Sequence, residues 1–429
     1  MIIKQALLGS MTVLACSTVH GESLEELAAR LEQLENKVRK YESKYAPLEN
    51  SPAPTQTTGP GSSNLIEMPT PIPQPVVTLA PVTADDIDAA YLTPAIGGGG
   101  NWFERTTLGG YGELHLSQGD KEQIDFHRYV LFVNHRFSNR VKFFSELELE
   151  HSLSGDGKPG EVELEQAFIE FTLDNDWSIR AGQYLLPLGI LNEVHEPDSF
   201  YGVERNNVEK NIIPTTWWEG GVMASKNFDN GFGFDFGVHS ALAVSTDPTS
   251  KDAYRIRSGR QKVAEASASE YATSFRARYT GVPGLALSAF ANYQNDISPD
   301  DDEDNSALLL GGSAVYQNGG FGLRSLIAHW DIDGESFDAN DADSQWGYYI
   351  EPSYRWAFGD QAIGLFGRYS HYEYARGAGG ARGGEFDEYT IGVNYWPISN
   401  VALKIDFTQI EQDGAENNET FNFGVGYSF

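Results

Sequence analysis

The sequence contains little cysteine, little positive charge and no long apolar run. Its single cysteine, Cys16, lies near the N-terminus, which excludes a disulfide framework and a cysteine-based metal site. Lysine and arginine number 30 against 61 aspartate and glutamate, giving a net charge of −31. This balance argues against a nucleic-acid partner, because phosphate binding is driven by basic residues. No apolar run reaches the roughly 18–20 residues of a transmembrane helix, but membrane-spanning strands give a much weaker alternating signal.

The first 21 residues have the composition of a secretory signal peptide. Lys4 provides the positive start, residues 6–15 form an apolar stretch, and small residues at 17–21 suit cleavage. A buried N-terminal helix is the alternative. The sequence VLAC at 13–16 is also similar to a lipoprotein box, so lipidation of Cys16 stays open.

Residues 22–45 predict a coiled-coil oligomerisation helix that lies in the periplasm. Apolar residues repeat there at spacings of three and four, which defines a heptad seam. The seam comprises Leu24, Leu27, Leu31, Leu34, Val38 and Tyr41. A helix packed on its own domain is the alternative. Residues 46–100, rich in proline, serine, threonine and glycine, predict an extended linker.

Residues 101–429 alternate between apolar and polar side chains in short segments that are separated by turn signals. In VKFFSELELE, for example, Glu146 and Glu148 alternate with Leu147 and Leu149, the period of a β-strand. Seven tight turns and eight longer connections predict sixteen strands. The predicted fold is all-β: a 16-stranded antiparallel transmembrane β-barrel preceded by the coiled-coil helix and the Pro-rich linker.

Three features favour a barrel in the outer membrane of a Gram-negative bacterium. Trp177, Trp356 and Trp396 lie near short turns, as in an interfacial aromatic belt. A signal peptide directs export. The last strand places aromatic and apolar residues on one face and ends in an aromatic residue, a pattern that resembles the signal read by the barrel assembly machinery. Its residues are Phe421, Phe423, Val425, Tyr427 and Phe429.

This polarity implies that apolar faces contact lipid and that charged faces line a wide aqueous lumen. The predicted pore-lining residues are Glu146, Glu148, Glu150, Glu163, Glu165, Arg128, Asp235, Arg276, Arg278, Arg324, Arg355, Arg368, Lys404 and Asp406. The acids are concentrated on strands three and four and the bases on later strands. They predict an acidic wall facing a basic wall, unless the charges are paired with their neighbours.

Two irregularities interrupt the alternation. The order of polar and apolar residues slips around residues 166–168, which predicts a β-bulge that returns Ala167, Ile169 and Phe171 to the lipid side. Pro352 lies inside a predicted strand, where proline is tolerated only at a bulge or an unpaired position.

The segment RAGQYLLPLG (180–189), which leads into a long connection at 187–216, resembles the entry to the constriction loop of trimeric porins. With the strand pattern and the terminal Phe429, residues 106–429 resemble the family of phosphate-selective porins O and P. The resemblance implies a homotrimer and a loop folded into each pore. The predicted constriction-loop residues are Glu193, His195, Glu196, Asp198, Glu204 and Arg205.

The sequence therefore predicts a porin for passive diffusion of small hydrophilic or charged solutes, including anions such as phosphate. Two alternatives stay open: a barrel-anchored tether that uses its coiled coil, and an outer-membrane hydrolase. The sequence shows no nucleophile elbow and no zinc-type histidine pair, and no cofactor or metal is predicted. His195 beside Glu196 is expected to be a surface pair.

Overall fold

A computed structural model of the chain describes residues 105–120, 122–299, 304–375, 383–412 and 415–429. The predicted signal peptide, coiled coil and linker lie outside these residues. No helix in the described ranges has the length and apolar character needed to cross a bilayer.

The described residues form sixteen antiparallel strands that close into a barrel, with β1 paired to β16. The strands are β1 Thr106–Gly119, β2 Gln123–Ser138, β3 Val141–Glu150, β4 Val162–Thr172, β5 Trp177–Leu185, β6 Trp218–Asn227, β7 Phe232–Ser240, β8 Tyr271–Val282, β9 Leu285–Gln294, β10 Ser306–Asn318, β11 Phe321–Asp333, β12 Ser344–Phe358, β13 Gln361–Tyr374, β14 Gly384–Ile398, β15 Val401–Gln412 and β16 Asn418–Ser428. Each strand pairs with its neighbours in the chain, which confirms the predicted barrel and its strand number.

Short turns join the strands at one end of the barrel, and most connections at the other end are longer. The longest connection, residues 186–217 between β5 and β6, is called the inner loop below. It contains a short helix, α1 (Asn207–Asn211). The connection between β7 and β8 carries a 3-10 turn at Ile256–Gly259, and a second short helix, α2 (Glu335–Asp338), follows β11.

Alternation along each strand separates an apolar outer face from a polar inner face. On β15, Leu403 and Ile405 are 42% and 50% exposed, whereas Lys404 and Asp406 between them are buried. On β16 the apolar residues Phe421, Phe423, Val425 and Phe429 are exposed, while the intervening Asn422 is buried. In a closed sheet the buried alternate positions face the interior, so the polarity is the reverse of that in a water-soluble barrel.

The two irregularities occur as predicted. Glu146 pairs with Gln166 and Leu147 with Leu164, so Glu165 is an extra residue in β4. This bulge returns Phe171 to the exposed side. Pro352 pairs with Leu323 of β11 but lies where the pairing of β12 with β13 is interrupted. Proline has no N–H to donate, so its position agrees with the interruption of this ladder.

The prediction that Trp396 belongs to an aromatic belt is wrong. Its side chain is 4% exposed and lies inside the barrel, in an edge-on contact with the Tyr201 ring of the inner loop at 5.7 Å between centroids. Trp177 is 37% exposed, as a belt residue would be. Position near a turn does not determine which face of the strand a residue occupies.

Because the outer face of the barrel is apolar, a charge placed there should destabilise the fold, and by more near the middle of the membrane than near its edges. Ile327 lies at the centre of β11 and is 55% exposed, and Ile398 lies at the end of β14 and is 53% exposed. We expect Ile327→Arg to lower the free energy of unfolding from lipid by about 2–4 kcal/mol and Ile398→Arg to lower it by about 0–1 kcal/mol. Guanidinium titration in liposomes measures both. Equal, small effects would contradict a lipid-facing surface.

Candidate functional site

The inner loop lies within the barrel. It contacts strands that are far apart around the wall: Glu193 pairs with Arg276 of β8, and the backbone N–H of Val203 donates to Asp406 of β15 at 2.6 Å. On another side, Tyr349 of β12 donates to Glu209 at 2.8 Å. A segment that touches strands on several sides of a closed sheet must pass through its interior.

A small hydrogen-bonded unit shapes the second half of the inner loop. Asn206 caps α1 by accepting from the backbone N–H of Glu209 at 2.9 Å. The Glu209 carboxylate accepts from the N–H groups of Ile190 and Leu191 at 2.8 and 2.6 Å. Burial raises the pKa of Glu209 against the opposing effect of these donors. The Glu209 carboxylate therefore connects the first and second halves of the inner loop to β12, the strand that carries Tyr349.

Asn192 closes the base of the inner loop. Its amide donates to the carbonyl oxygens of Leu186 and Trp217 at 2.8 and 2.9 Å, and its side-chain oxygen accepts from the Trp217 N–H at 2.7 Å. The Trp217 indole is fully buried and donates to Glu219 at 2.8 Å. The two ends of the loop are thus held together where β5 ends and β6 begins.

His195 attaches the first half of the loop to the acidic wall. Its Nε2 lies 3.6 Å from Glu146 Oε1 and 3.4 Å from Glu165 Oε2, and its backbone carbonyl accepts from Arg128 at 2.8 Å. Burial opposes its protonation, but the two carboxylates outweigh burial and raise the pKa of His195 to about 9. A protonated imidazole therefore compensates charge that the barrel encloses.

The expectation that His195 and Glu196 form a surface pair is wrong. Both side chains are buried, 2% and 8% exposed, and the carboxylate partners of His195 come from β3 and β4. The pair looked solvated in the sequence because polar residues surround it. Strands that are distant in the sequence enclose the pair, and the residues next to His195 and Glu196 carry no signal of this enclosure.

The predicted pore-lining residues lie within the barrel, buried or half-buried. Several of them form ion pairs within their own wall. Arg276 and Arg278 contact Asp235 at 2.8 and 2.6 Å, and Arg368 contacts Glu351 at 3.0 Å. Bases of the expected basic wall are therefore paired with acids on adjacent strands, which for that wall favours the alternative that the charges pair with their neighbours.

The inner loop and its neighbour supply further countercharges across the lumen. Glu193 of the loop pairs with Arg276 on the side richer in bases. Lys262, from the connection between β7 and β8, pairs with Glu163 and Glu161 on the acidic side. Lys404 Nζ lies 3.7 Å from the centroid of the Phe200 ring of the inner loop. The acidic side thus receives a positive charge from Lys262, and the side richer in bases receives a negative charge from Glu193.

An arginine cluster near the C-terminal half of the inner loop comprises Arg205, Arg255, Arg257 and Arg260. Arg257 donates to the carbonyl oxygen of Lys210 at 2.9 Å, and Arg260 donates to that of Thr216. Burial, together with repulsion from the other three arginines, lowers the pKa of Arg257 well below its usual value. Arg255 also lies 3.6 Å from Asp252, and Glu163 lies near Arg260, so acids partly offset this repulsion.

Sequence reasoning missed the arginine cluster. The signal was available as YRIRSGRQK, a run of basic residues at 254–262 in a strongly acidic chain. The run lies in the long connection between β7 and β8. The fold directs these residues against the inner loop.

Comparison with known proteins agrees with this architecture. The family model "Phosphate-selective porin O and P" matches residues 109–422. An uncharacterized protein of Aquifex aeolicus (strain VF5) is 26% identical over 358 residues, covering 75% of this chain and 80% of that protein.

Two solved structures share the fold at low sequence identity. An anion-selective porin from Comamonas acidovorans aligns with a TM-score of 0.53 at 13% identity, covering 76% of this chain and 99% of that chain. OmpT of Vibrio cholerae, an outer membrane protein in its in-vitro folded trimer form, gives 0.50 at 12% identity with the same coverages. The family match covers most of the chain, so the chain belongs to the phosphate-selective porin O and P family and its barrel to the outer membrane.

The buried His195 predicts a pH-dependent contribution to stability. Its folded pKa of about 9 exceeds the ordinary 6.5, so the contribution is complete below pH 6.5 and is lost as the pH rises through about 9. The shift corresponds to about 3 kcal/mol. We expect the difference in free energy of unfolding between wild type and His195→Gln to shrink by about this amount from pH 6 to 10.

Denaturant titrations at several pH values measure that difference. His329→Gln is the matched control, because His329 is exposed on the barrel and pairs with the Ser344 hydroxyl at 3.0 Å. If the difference in free energy of unfolding between wild type and His195→Gln does not change with pH, the two carboxylates do not stabilise a charged imidazole.

Proposed function

We propose that this member of the phosphate-selective porin O and P family forms a narrow channel for passive diffusion of small hydrophilic solutes, with anions such as phosphate favoured. The observation that carries the proposal is the inner loop, which passes through the barrel interior and is held there by buried polar contacts on several strands. The predicted pore-lining residues then face a water path narrowed by this loop. No catalytic role is proposed.

The polar interior supports passage of hydrated solutes. Charged side chains such as Arg128, Glu148 and Asp406 are buried inside a surface that is apolar outside. Enclosed ions retain their charge when partners or water surround them. A tether would need only the outer face and would not require this charged interior.

The arginine cluster supports a preference for anions at the inner loop. Its four guanidinium groups repel one another, and guanidinium groups bind phosphate and carboxylate oxygens through several hydrogen bonds. A field of positive charge at a constriction raises the local concentration of anions. Several other interior charges, such as Arg368 with Glu351, are paired and add little net selectivity.

We further propose that the channel is a homotrimer in which the coiled coil at 22–45 extends into the periplasm. Membership of the family and the trimer form described for OmpT of Vibrio cholerae support this. The exposed residues Phe421, Phe423 and Val425 and the terminal Phe429 suit contact with lipid after insertion by the barrel assembly machinery.

Removing the side chains that cross the lumen should enlarge the channel. We expect replacement of residues 196–205 by a glycine–serine chain of equal length to raise single-channel conductance and to admit larger sugars in liposome-swelling assays. The same replacement at 153–159, in the exposed connection after β3, is the control. Folding is verified by heat-modifiable migration on gels. Unchanged conductance in a folded variant would show that the inner loop does not limit flow.

Neutralising the arginine cluster should reduce anion preference. We expect Arg257→Gln together with Arg260→Gln to shift the reversal potential in a KCl gradient toward cation selectivity. The shift should be larger near 0.1 M than near 1 M salt, because the Debye length falls from about 10 Å to about 3 Å. Arg140→Gln, at an exposed pair with Asp174, is the control. An identical reversal potential in the double variant and wild type would contradict the assignment.

A further inference from the structure

A group of histidines lies on the inner face of β1–β3, and apart from the contact of His115 with Glu204 it has no role in the function proposed above. His115 lies on β1, Asp125 and His127 lie on β2, and His151 follows the end of β3. The backbone N–H of His151 donates to the carbonyl oxygen of His127 at 2.9 Å, which fixes the spacing of the two residues.

A β-bulge places His127 in this group. Glu113 pairs with Arg128 and Leu114 with Phe126, so His127 is the extra residue of β2. Because the bulge adds one residue, His127 and Arg128 both turn inward and Asp125 joins them, while Ile124 stays exposed on the outside. Bulges of this kind commonly redirect side chains next to functional sites.

The side chains converge on one carboxylate oxygen. Asp125 Oδ2 lies 3.2 Å from His127 Nδ1 and 2.8 Å from His151 Nδ1. The His127 and His151 rings meet edge to face at 5.5 Å between centroids. The three side chains are 15–28% exposed, so water and small ions reach them from the lumen side.

The three ligand atoms lie within 4.8 Å of one another, close enough to bind one metal ion. Two atoms bound to zinc at 2.0–2.1 Å in tetrahedral geometry are about 3.4 Å apart. The observed 2.8 and 3.2 Å need to open by about 0.6 and about 0.2 Å to reach this separation when a metal replaces the two N–H protons. Two imidazoles and one carboxylate suit Zn²⁺, Ni²⁺ or Cu²⁺, whereas Mg²⁺ and Ca²⁺ prefer all-oxygen sites.

Contacts of His115 link this group to the inner loop. The His115 ring stacks on the His127 ring at 4.6 Å between centroids, with an interplanar angle of 17°. His115 Nδ1 lies 3.1 Å from Glu204 of the inner loop, and its Nε2 lies 3.1 Å from Glu113. Contacts of this type orient the ligands of metal sites.

We propose that Asp125, His127 and His151 form a binding site for one divalent transition-metal ion of the zinc class, with water in the fourth position. His115 and Glu204 position His127 and couple the site to the inner loop. The inference is independent of channel activity, because it concerns ligand atoms and their spacing alone.

Calorimetric titration of ZnCl₂ into the tag-free mature protein in detergent near pH 7.5 tests the proposal. We expect one saturable site per chain. His127→Gln and His151→Gln should each weaken binding by about tenfold or more, and zinc should raise the thermal unfolding temperature of wild type but not of these variants. Millimolar Mg²⁺ should not compete. His329→Gln, which changes an exposed histidine elsewhere on the barrel, should bind as wild type does.

Gel migration of unheated samples verifies that each variant is a folded barrel. Absence of saturable zinc binding by wild type would overturn the proposal and leave a hydrogen-bonded His–Asp–His network. Binding that persists unchanged in the folded His127→Gln and His151→Gln variants would also overturn it, because the ion would then lie elsewhere.

Discussion

Closure of the sheet is the constraint on which the rest of this structure depends. Side chains alternate between the two faces of a strand, so a closed barrel assigns every residue of sixteen strands either to the enclosed space or to the surroundings. Here the apolar set faces outward and the charged set inward. An enclosed charge must be paired or hydrated, and the interior is organised accordingly, with Arg276 and Arg278 on Asp235 and with Arg368 on Glu351.

The inner loop completes this charge balance and narrows the space at the same time. His195 carries positive charge to Glu146 and Glu165, and Glu193 carries negative charge to Arg276. The charged groups of the wall that hold the loop are therefore the ones that would have no countercharge from the loop without it. The structure and the proposed permeation therefore depend on one set of residues.

The strands could be predicted from the sequence because alternation is a local signal. The Glu165 bulge and the interruption at Pro352 also left local traces, in a slip of parity and a missing donor. Three features could not be predicted in this way: the burial and charge of His195, the inward position of Trp396 and the arginine cluster. Each depends on which distant segment covers the residue. The second bulge, at His127, lies between apolar Phe126 and polar Arg128, an order that does not by itself reveal an extra residue.

The central claim is that one face of each strand meets lipid and the other meets the enclosed interior. Spin labels at consecutive single-cysteine positions along β9 (Leu285–Gln294), in protein reconstituted into bilayers, test it most directly. The account predicts high collision rates with oxygen at Leu287, Ala289, Ala291 and Tyr293 and low rates at the positions between them. Uniform access to a water-soluble nickel chelate along the strand, or the opposite phase of alternation, would contradict it.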